Sequence, residues 1–434
     1  MSNGANAVHH LLRDELEDYI KSQYFGKSPV LLSAVSPLLK KERVLYRRPF
    51  IESSPAYRSL PNGIASSALP EWMKRYFSAL SRAGLGVHDA PFLHQKEALE
   101  AAFKGRDLFV STGTGSGKTE CFMWPMMAKL AEEARQSPGS WSQRGVRTII
   151  MYPMNALVSD QVSRLRRLMG GGTFVDVFRD TCGSSTRRPQ FGMYTGRTPY
   201  PGPEPRSEED RRLERTLRKM AFPEDEEEQR YYKALSGEGK VPAKADMNGF
   251  LSRLHQSQHI PDEEDAELIT RFEMQQFCPD ILITNYSMLE YMLLRPREQK
   301  IWNETRTWLN QKTDSRLLFV IDEAHMYRGS SGGEVALLIR RLFHKLGIRR
   351  DRVQFILTTA SMPDQDTEDK QAVKAFAESL TAADGESNFC YLTGEREEIQ
   401  GKVRFDIPPG HFLKFKASDF EVEDDTRLKA LNSF

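Results

Sequence analysis

The sequence predicts an α/β fold in which a mostly parallel sheet is covered by helices. Three observations carry that prediction. Short apolar, β-branched runs recur along the chain with helical patterns between them. A glycine-rich loop, STGTGSGKTECF at residues 111–122, sits between one such run and a helical stretch. Another run, FVIDEAH at residues 319–325, ends in adjacent carboxylates.

The strand candidates, in order, are DLFVST (107–112), RTIIMYP (147–153), TFVDVF (173–178), FGMYTG (191–196), DILITN (280–285), LLFVIDE (317–323) and VQFILTTAS (353–361). Each is short, apolar and rich in β-branched or aromatic residues, as a strand buried on both faces requires. After the carboxylates, GEVALLIRRLFHKLGI places Val335, Leu338, Ile339, Leu342 and Leu346 at helical spacing with basic residues off that stripe. This predicts a helix packed on the sheet. Between residues 199 and 268 the chain becomes charge-dense and strand-poor, which reads as a helical insertion opened by the turn-rich RTPYPGPEPRS. Its acidic run, 224–228, reads as a solvated face. Residues 1–85 read as a small mixed appendage, 86–198 and 269–400 as the two parts of the α/β domain, and 401–434 as a linker.

Composition excludes several classes. With 61 basic against 60 acidic residues, overall charge points to no partner, so a nucleic-acid surface has to be a local patch. Cys121, Cys182, Cys278 and Cys390 show no C-x-x-C spacing, which argues against a zinc site or a disulfide framework and for a reducing, cytoplasmic setting. No run approaches the roughly 18 apolar residues of a membrane helix, and the N-terminus is too acidic for a signal peptide, so no membrane partner is expected.

The loop fails the strict G-x-x-x-x-G-K-[ST] pattern at its first position, where Thr112 stands. Its last turn, Thr114–Thr119, is intact: glycines let backbone N–H groups converge on phosphate at a helix N-terminus, and a lysine and a hydroxyl complete the cradle. Gly115 and Gly117 supply that freedom around Ser116, Lys118 neutralises phosphate charge, Thr119 is a Mg²⁺ ligand, and Glu120 opens the helix. Taken alone, this is also what a plain Gly/Ser/Thr turn before a helix looks like. Asp322 at a strand tip suits Mg²⁺ held through water, and Glu323 suits polarising an attacking water. Upstream, FLHQKEAL (92–99) offers Gln95 to an adenine edge with Phe92 stacking nearby, or simply a helix start with an exposed glutamine.

The order FLHQ, TGTGSGKTE, YPMNALVSDQ, YTGRTP, DILITNYSML, VIDEAH, LTTAS resembles the first RecA-like lobe of superfamily 2 DEAD/DEAH-box helicases. Within that superfamily it resembles the large bacterial and archaeal helicases with a C-terminal DUF1998 region, a group that includes MrfA-like repair helicases and DISARM and Druantia phage-defence helicases. The likeness covers about residues 20 to 400. It implies a RecA-like three-layer α/β domain carrying an N-terminal appendage and a helical insertion. It also implies ATP and Mg²⁺ as cofactors, held by Gln95, Lys118, Thr119, Asp322 and Glu323, and coupling of ATP state to motion through His325, Thr359 and Ser361. Single-stranded or partly duplex DNA, with RNA the alternative, is the implied partner. The segments holding its phosphates are those around Pro153 and Asn155, Thr195 and Gly196, and Thr284 and Asn285. For Asn155 a mere helix start is an equal alternative. No Q-x-x-G-R-x-x-R-like motif follows Ser361, so a second RecA-like lobe with its arginines is expected elsewhere, and the chain alone is expected to turn ATP over slowly. A nucleotide-gated binding or scaffold subunit without turnover is the competing expectation.

Overall fold

The computed structural model describes residues 5–41, 43–47, 56–113, 115–199, 208–256, 261–360, 367–383 and 388–397. Thr114, Ser361 and the expected linker 401–434 lie outside these. The chain forms two compact units, one from Tyr57 to Arg396 and one formed by the residues outside it. In the latter, the helix Ala5–Ile20 runs through a π-helical turn, Lys21–Phe25, to the helix Pro29–Leu39, whose first turn is capped by Ser28.

Among its described residues the larger unit is built on eight strands: β1 Asp107–Ser111, β2 Thr148–Tyr152, β3 Phe191–Tyr194, β4 Glu267–Leu268, β5 Ile281–Asn285, β6 Leu317–Ile321, β7 Val353–Thr359 and β8 Phe389–Thr393. Their order is β4-β3-β5-β2-β6-β7-β1-β8, and every pair is parallel. Side chains alternate between two cores, as a pleated strand buried on both faces demands. Leu108, Val110, Ile150, Val320 and Ile356 face the helices Glu71–Arg82, Leu93–Phe103, Glu120–Gln136 and Asn155–Met169. Phe109, Ile149, Phe319, Phe355 and Leu357 face Tyr286–Leu294, Gln299–Gln311 and Ser330–Leu346. The result is the RecA-like three-layer arrangement. Val335, Leu338, Ile339, Leu342 and Leu346 are the buried stripe of the last of these helices, which Gly347 ends in a left-handed turn.

One expectation is corrected, and two strands lie outside the candidates above. TFVDVF is the helix Gly172–Cys182, not a strand, because Phe174, Val175 and Phe178 fall on one helical face and bury there. β8 is not evident from sequence, since only Phe389 and Leu392 of its five residues are buried. Nor is β4, whose Glu267 reads as part of a charged stretch; its carboxylate is buried because Arg166 grips it with two 2.7 Å hydrogen bonds. Residues 208–255 are helical, in three pieces: Glu208–Ala221, Glu226–Gly237 and Met247–His255.

Among the described residues no helix is long and apolar enough to cross a membrane. The four cysteines are all free, and among the described residues no cluster of three metal-ligating side chains forms.

Candidate functional site

In an all-parallel sheet every strand ends on the same edge, and ligands bind beyond that edge. Here β6, β7 and β1 are consecutive neighbours, so their C-terminal loops converge although they lie far apart in sequence. Thr112, just past β1, donates its N–H to the carbonyl of Thr359 at the end of β7. Across β7, Lys118 Nζ lies 3.6 Å from Glu323 Oε1. One patch therefore gathers Lys118, Asp322, Glu323, His325 and Thr359.

The loop after β1 has the backbone it needs. Gly115 and Gly117 take φ of +77° and +71°, values that favour glycine. A Cβ on Gly117 would lie 2.1 Å from Gln95 Nε2, whereas one on Gly115 would meet nothing within 4 Å. The loop is held from behind: Thr112 and Ser116 share a hydroxyl contact of 2.6 Å, Gln95 donates to Gly117 O at 3.2 Å, and Gln95 Oε1 accepts from Phe92 N at 2.9 Å. Gln95 is thus buried rather than exposed. Phe92, Gln95, Gly115, Gly117 and Glu120 line one open cleft with His88 and Arg164, and Arg164 stands 3.7 Å from Glu120.

Two residues here escape a reading of the sequence. His94 Nε2 donates to Ser116 O at 2.8 Å, stacks on Phe92 and is buried, and that burial lowers its pKa. Tyr57 accepts the Gly113 N–H on its hydroxyl at 3.0 Å. His94 is visible inside FLHQ; Tyr57 ends RRPFIESSPAY, a stretch that shares the family resemblance but gives this tyrosine no role.

The carboxylates differ sharply. Asp322 is buried, and burial raises its pKa; the Thr358 hydroxyl, which donates to it, opposes the rise, and neighbouring Glu323 adds to it. Glu323 follows in a left-handed backbone, φ +50° and ψ +47°, a strained state for a non-glycine residue. Its N–H bonds back to Asp322 Oδ1 at 3.0 Å. His325 Nδ1 lies 3.1 Å from Thr359 Oγ1 and 3.2 Å from Glu323 Oε2, linking β6 to β7. The chemistry fits a nucleotide with its cation. A glycine cradle opens to space at Gly115, a lysine sits beside it, and one buried carboxyl is held charged only at a cost. Glu323 Oε2, buried beside His325, accepts no hydrogen bond among the described residues.

The other half of the edge belongs to β2, β5 and β3, again neighbours. Asn285 donates to Asn155 Oδ1 at 2.7 Å and caps its own helix by accepting from Met288 N at 2.8 Å. Asn155 begins the helix Asn155–Met169, beside half-buried Pro153. Thr284 is fully buried and donates to Tyr194 O at 2.8 Å, and Thr195 is buried in a turn with Thr198. These threonine side chains are engaged within the protein, while Gly196 and Arg197 are exposed just past the end of β3. Arg271, another residue that no motif marks, donates to Thr195 O at 2.7 Å and lies over the Tyr194 ring.

This chain is 39% identical to the Druantia protein DruE of Escherichia coli (strain UMEA 4076-1) over 422 residues, 89% of this chain and 22% of that protein. It therefore spans about a fifth of that relative's length. It is 28% identical over 110 residues to the uncharacterized ATP-dependent helicase YprA of Bacillus subtilis (strain 168), 25% of this chain and 13% of the relative. Among solved structures, the DUF1998 helicase MrfA bound to DNA aligns over 84% of this chain and 34% of its own, at 20% identity and a TM-score of 0.42. The DEAD/DEAH box helicase family model matches residues 92–199 and 246–369, from FLHQ through the loop after β1 to the strand ends that carry the carboxylates. Since that match takes in more than half of the sequence, the chain belongs to the DEAD/DEAH box helicase family.

Proposed function

We propose that this chain is the ATP-binding lobe of a nucleic-acid-dependent helicase or translocase acting on DNA, completed by a second RecA-like lobe. The observation that supports the reading is the division of one sheet edge into two rows: the ends of β6, β7 and β1 gather the loop of 111–122 and the carboxylates, and the ends of β2, β5 and β3 gather the segments around Asn155, Asn285 and Gly196.

Lys118 neutralises the β- and γ-phosphates, and Thr119 with Asp322 would hold Mg²⁺. Gln95 and Phe92 flank the adenine side, with Thr114, Gly115, Ser116 and Gly117 cradling phosphate and Glu120 beginning the helix behind them. When bound, ATP with Mg²⁺ supplies a phosphoryl centre whose charge is partly neutralised. Glu323 then orients a water toward it and takes the proton that the water loses. His325 and Thr359, joined at 3.1 Å, carry a change at the carboxylates into β7. We assign Ser361 to the same role on the family resemblance. Pro153, Asn155, Gly196 and Asn285 place backbone and amide groups toward a strand, while Thr195 and Thr284 set that backbone from within. Such contacts are blind to base sequence.

A second lobe would supply arginines worth about 10³–10⁵ in rate, so the isolated lobe turns over slowly. DNA rather than RNA follows from the resemblance to the DUF1998 group, and the likeness to a Druantia protein supports a role in phage defence. The test is ATP hydrolysis by the chain together with a second lobe, with and without single-stranded DNA. DNA-stimulated hydrolysis that Glu323→Gln abolishes supports the helicase reading. Nucleotide-dependent DNA binding with no hydrolysis under any condition replaces it with a gated binding module.

A further inference from the structure

The helix Glu208–Ala221 sorts its side chains by face. Leu213, Leu217, Met220 and Ala221 enter a small core with Phe250, Leu251, Leu254 and Ile269. Arg211, Arg212, Arg215, Arg218 and Lys219 are all exposed, and 211, 215 and 218 repeat at the spacing of one helical face. In sequence, three of the helix's acids, Glu208, Glu209 and Asp210, precede its basic residues. The fourth, Glu214, is partly buried and is held by Arg218 at 3.0 Å and His255 at 3.1 Å. Among the described residues no carboxylate pairs with Arg211, Arg212, Arg215 or Lys219. The helix holds five basic and four acidic residues, so the excess of cations is confined to this exposed face.

Its position gives the excess a purpose. Ile269 follows Leu268, the last residue of β4, so the small core sits at the C-terminal edge of the sheet. β4 is the neighbour of β3, whose end carries Thr195 and Gly196. Arg271 ties the two together, its N–H donating to Pro199 O at 2.9 Å and its guanidinium to Thr195 O. The basic helix therefore lies beside the last member of the row β2-β5-β3, at a step of about 5 Å per strand.

We propose that the exposed basic face of Glu208–Ala221 is an extension of the nucleic-acid edge, holding the phosphates of a strand that has passed the end of β3. The inference rests on the nucleic-acid reading of that edge. The helix is about 20 Å long, and guanidinium forks suit phosphate oxygens without reading bases. Binding of this kind shows itself in salt dependence, because each phosphate neutralised releases a counterion.

The test uses the full chain and a quadruple variant, Arg211→Gln, Arg212→Gln, Arg215→Gln and Lys219→Gln, all at exposed positions. Binding to labelled oligo-dT of about six and about twenty-five nucleotides is followed by fluorescence anisotropy from about 50 to 200 mM KCl. The expected result is unchanged binding of the short strand, with binding of the long strand weakened about tenfold or more at low salt. The log–log salt slope on the long strand falls by about 0.7 for each phosphate that the variant no longer neutralises. An unchanged slope on the longer strand overturns the assignment of the helix while leaving the edge intact. Absence of any binding by the unsubstituted chain overturns both. If polyglutamate, not DNA, is the ligand whose binding the variant loses, the face receives an acidic protein segment and the proposal fails.

Discussion

The Lys118 ammonium and the Glu323 carboxylate meet at 3.6 Å across the end of β7. They come from loops after β1 and β6, which β7 separates by a single strand in the sheet. Removing either end tests a different step. Lys118→Ala takes away a charge-assisted phosphate contact worth about 1.5–3 kcal/mol, so ATP affinity drops between about tenfold and a hundredfold in a fluorescent-nucleotide titration. Glu323→Gln keeps the shape of the side chain but removes its charge and its capacity to take a proton, so affinity stays within about threefold while turnover with the second lobe falls by about 10²–10⁴. Equal affinity in the Lys118 variant would remove the phosphate-loop assignment.

Asp322→Asn should stabilise the fold while weakening the Mg²⁺ dependence of nucleotide binding. Burial raises the Asp322 pKa, so between its ordinary value and the raised one the folded chain keeps a proton that the unfolded chain has lost. Stability then falls as pH rises through that window and stays lower at neutral pH. An amide has no charge to strand there, so Tm near neutral pH rises by about 2 °C, and the gain fades as the medium is acidified below the unfolded carboxyl's range. A lower Tm at neutral pH would contradict this account.

Gly117→Ala and Gly115→Ala separate backbone strain from collision. Both sites have positive φ, so each substitution costs about 1 kcal/mol or more. Only at 117 does the new methyl strike Gln95 Nε2, at 2.1 Å, with Glu120 Oε2 at 3.0 Å. Urea unfolding should therefore show the larger loss for Gly117→Ala, and, if Gln95 serves the nucleotide as proposed, nucleotide titration should show the larger loss of affinity there.

Lys244→Met tests how the insertion is fastened to the sheet. The Lys244 ammonium is fully buried between Asp265 and Glu273. Burial by itself lowers its pKa, but the two carboxylates outweigh that and leave it raised. Removing the cation leaves two buried charges opposed and costs about 3–5 kcal/mol, read as a lower urea midpoint. In the unsubstituted chain the stability from this group is complete below the ordinary lysine range and is lost as pH climbs through the raised value. The difference between the two proteins should accordingly shrink in strongly alkaline buffer.

Much of the fold is legible because a strand buried on both faces is almost uniformly apolar. LLFVI and TIIMY announce themselves. The misreadings have equally local causes. TFVDVF has the composition of a strand, but the spacing of Phe174, Val175 and Phe178 also fits a helical face, and packing chose the helix. Glu267 looks like solvent-exposed charge because nothing near it in sequence shows that Arg166 neutralises it. Tyr57 cannot be found from sequence, since its partner Gly113 is brought to it only by the folded chain.

The sequence points by itself to the residues proposed for the chemistry, because a phosphate loop needs glycine, lysine and a hydroxyl in fixed succession, and such local geometry is written in adjacent residues. It also determined the α/β class, through the periodicity of its apolar runs. The tertiary structure alone decided who stands beside whom. Strand order is set by long-range packing and right-handed crossovers, and it is this order that brings Lys118 to Glu323, His325 to Thr359 and Asn155 to Asn285. It also decided which polar side chains remain available, because Thr284 and Thr195, polar in sequence, are buried and engaged within the protein, while Arg197 and the basic face of Glu208–Ala221 are left to the solvent.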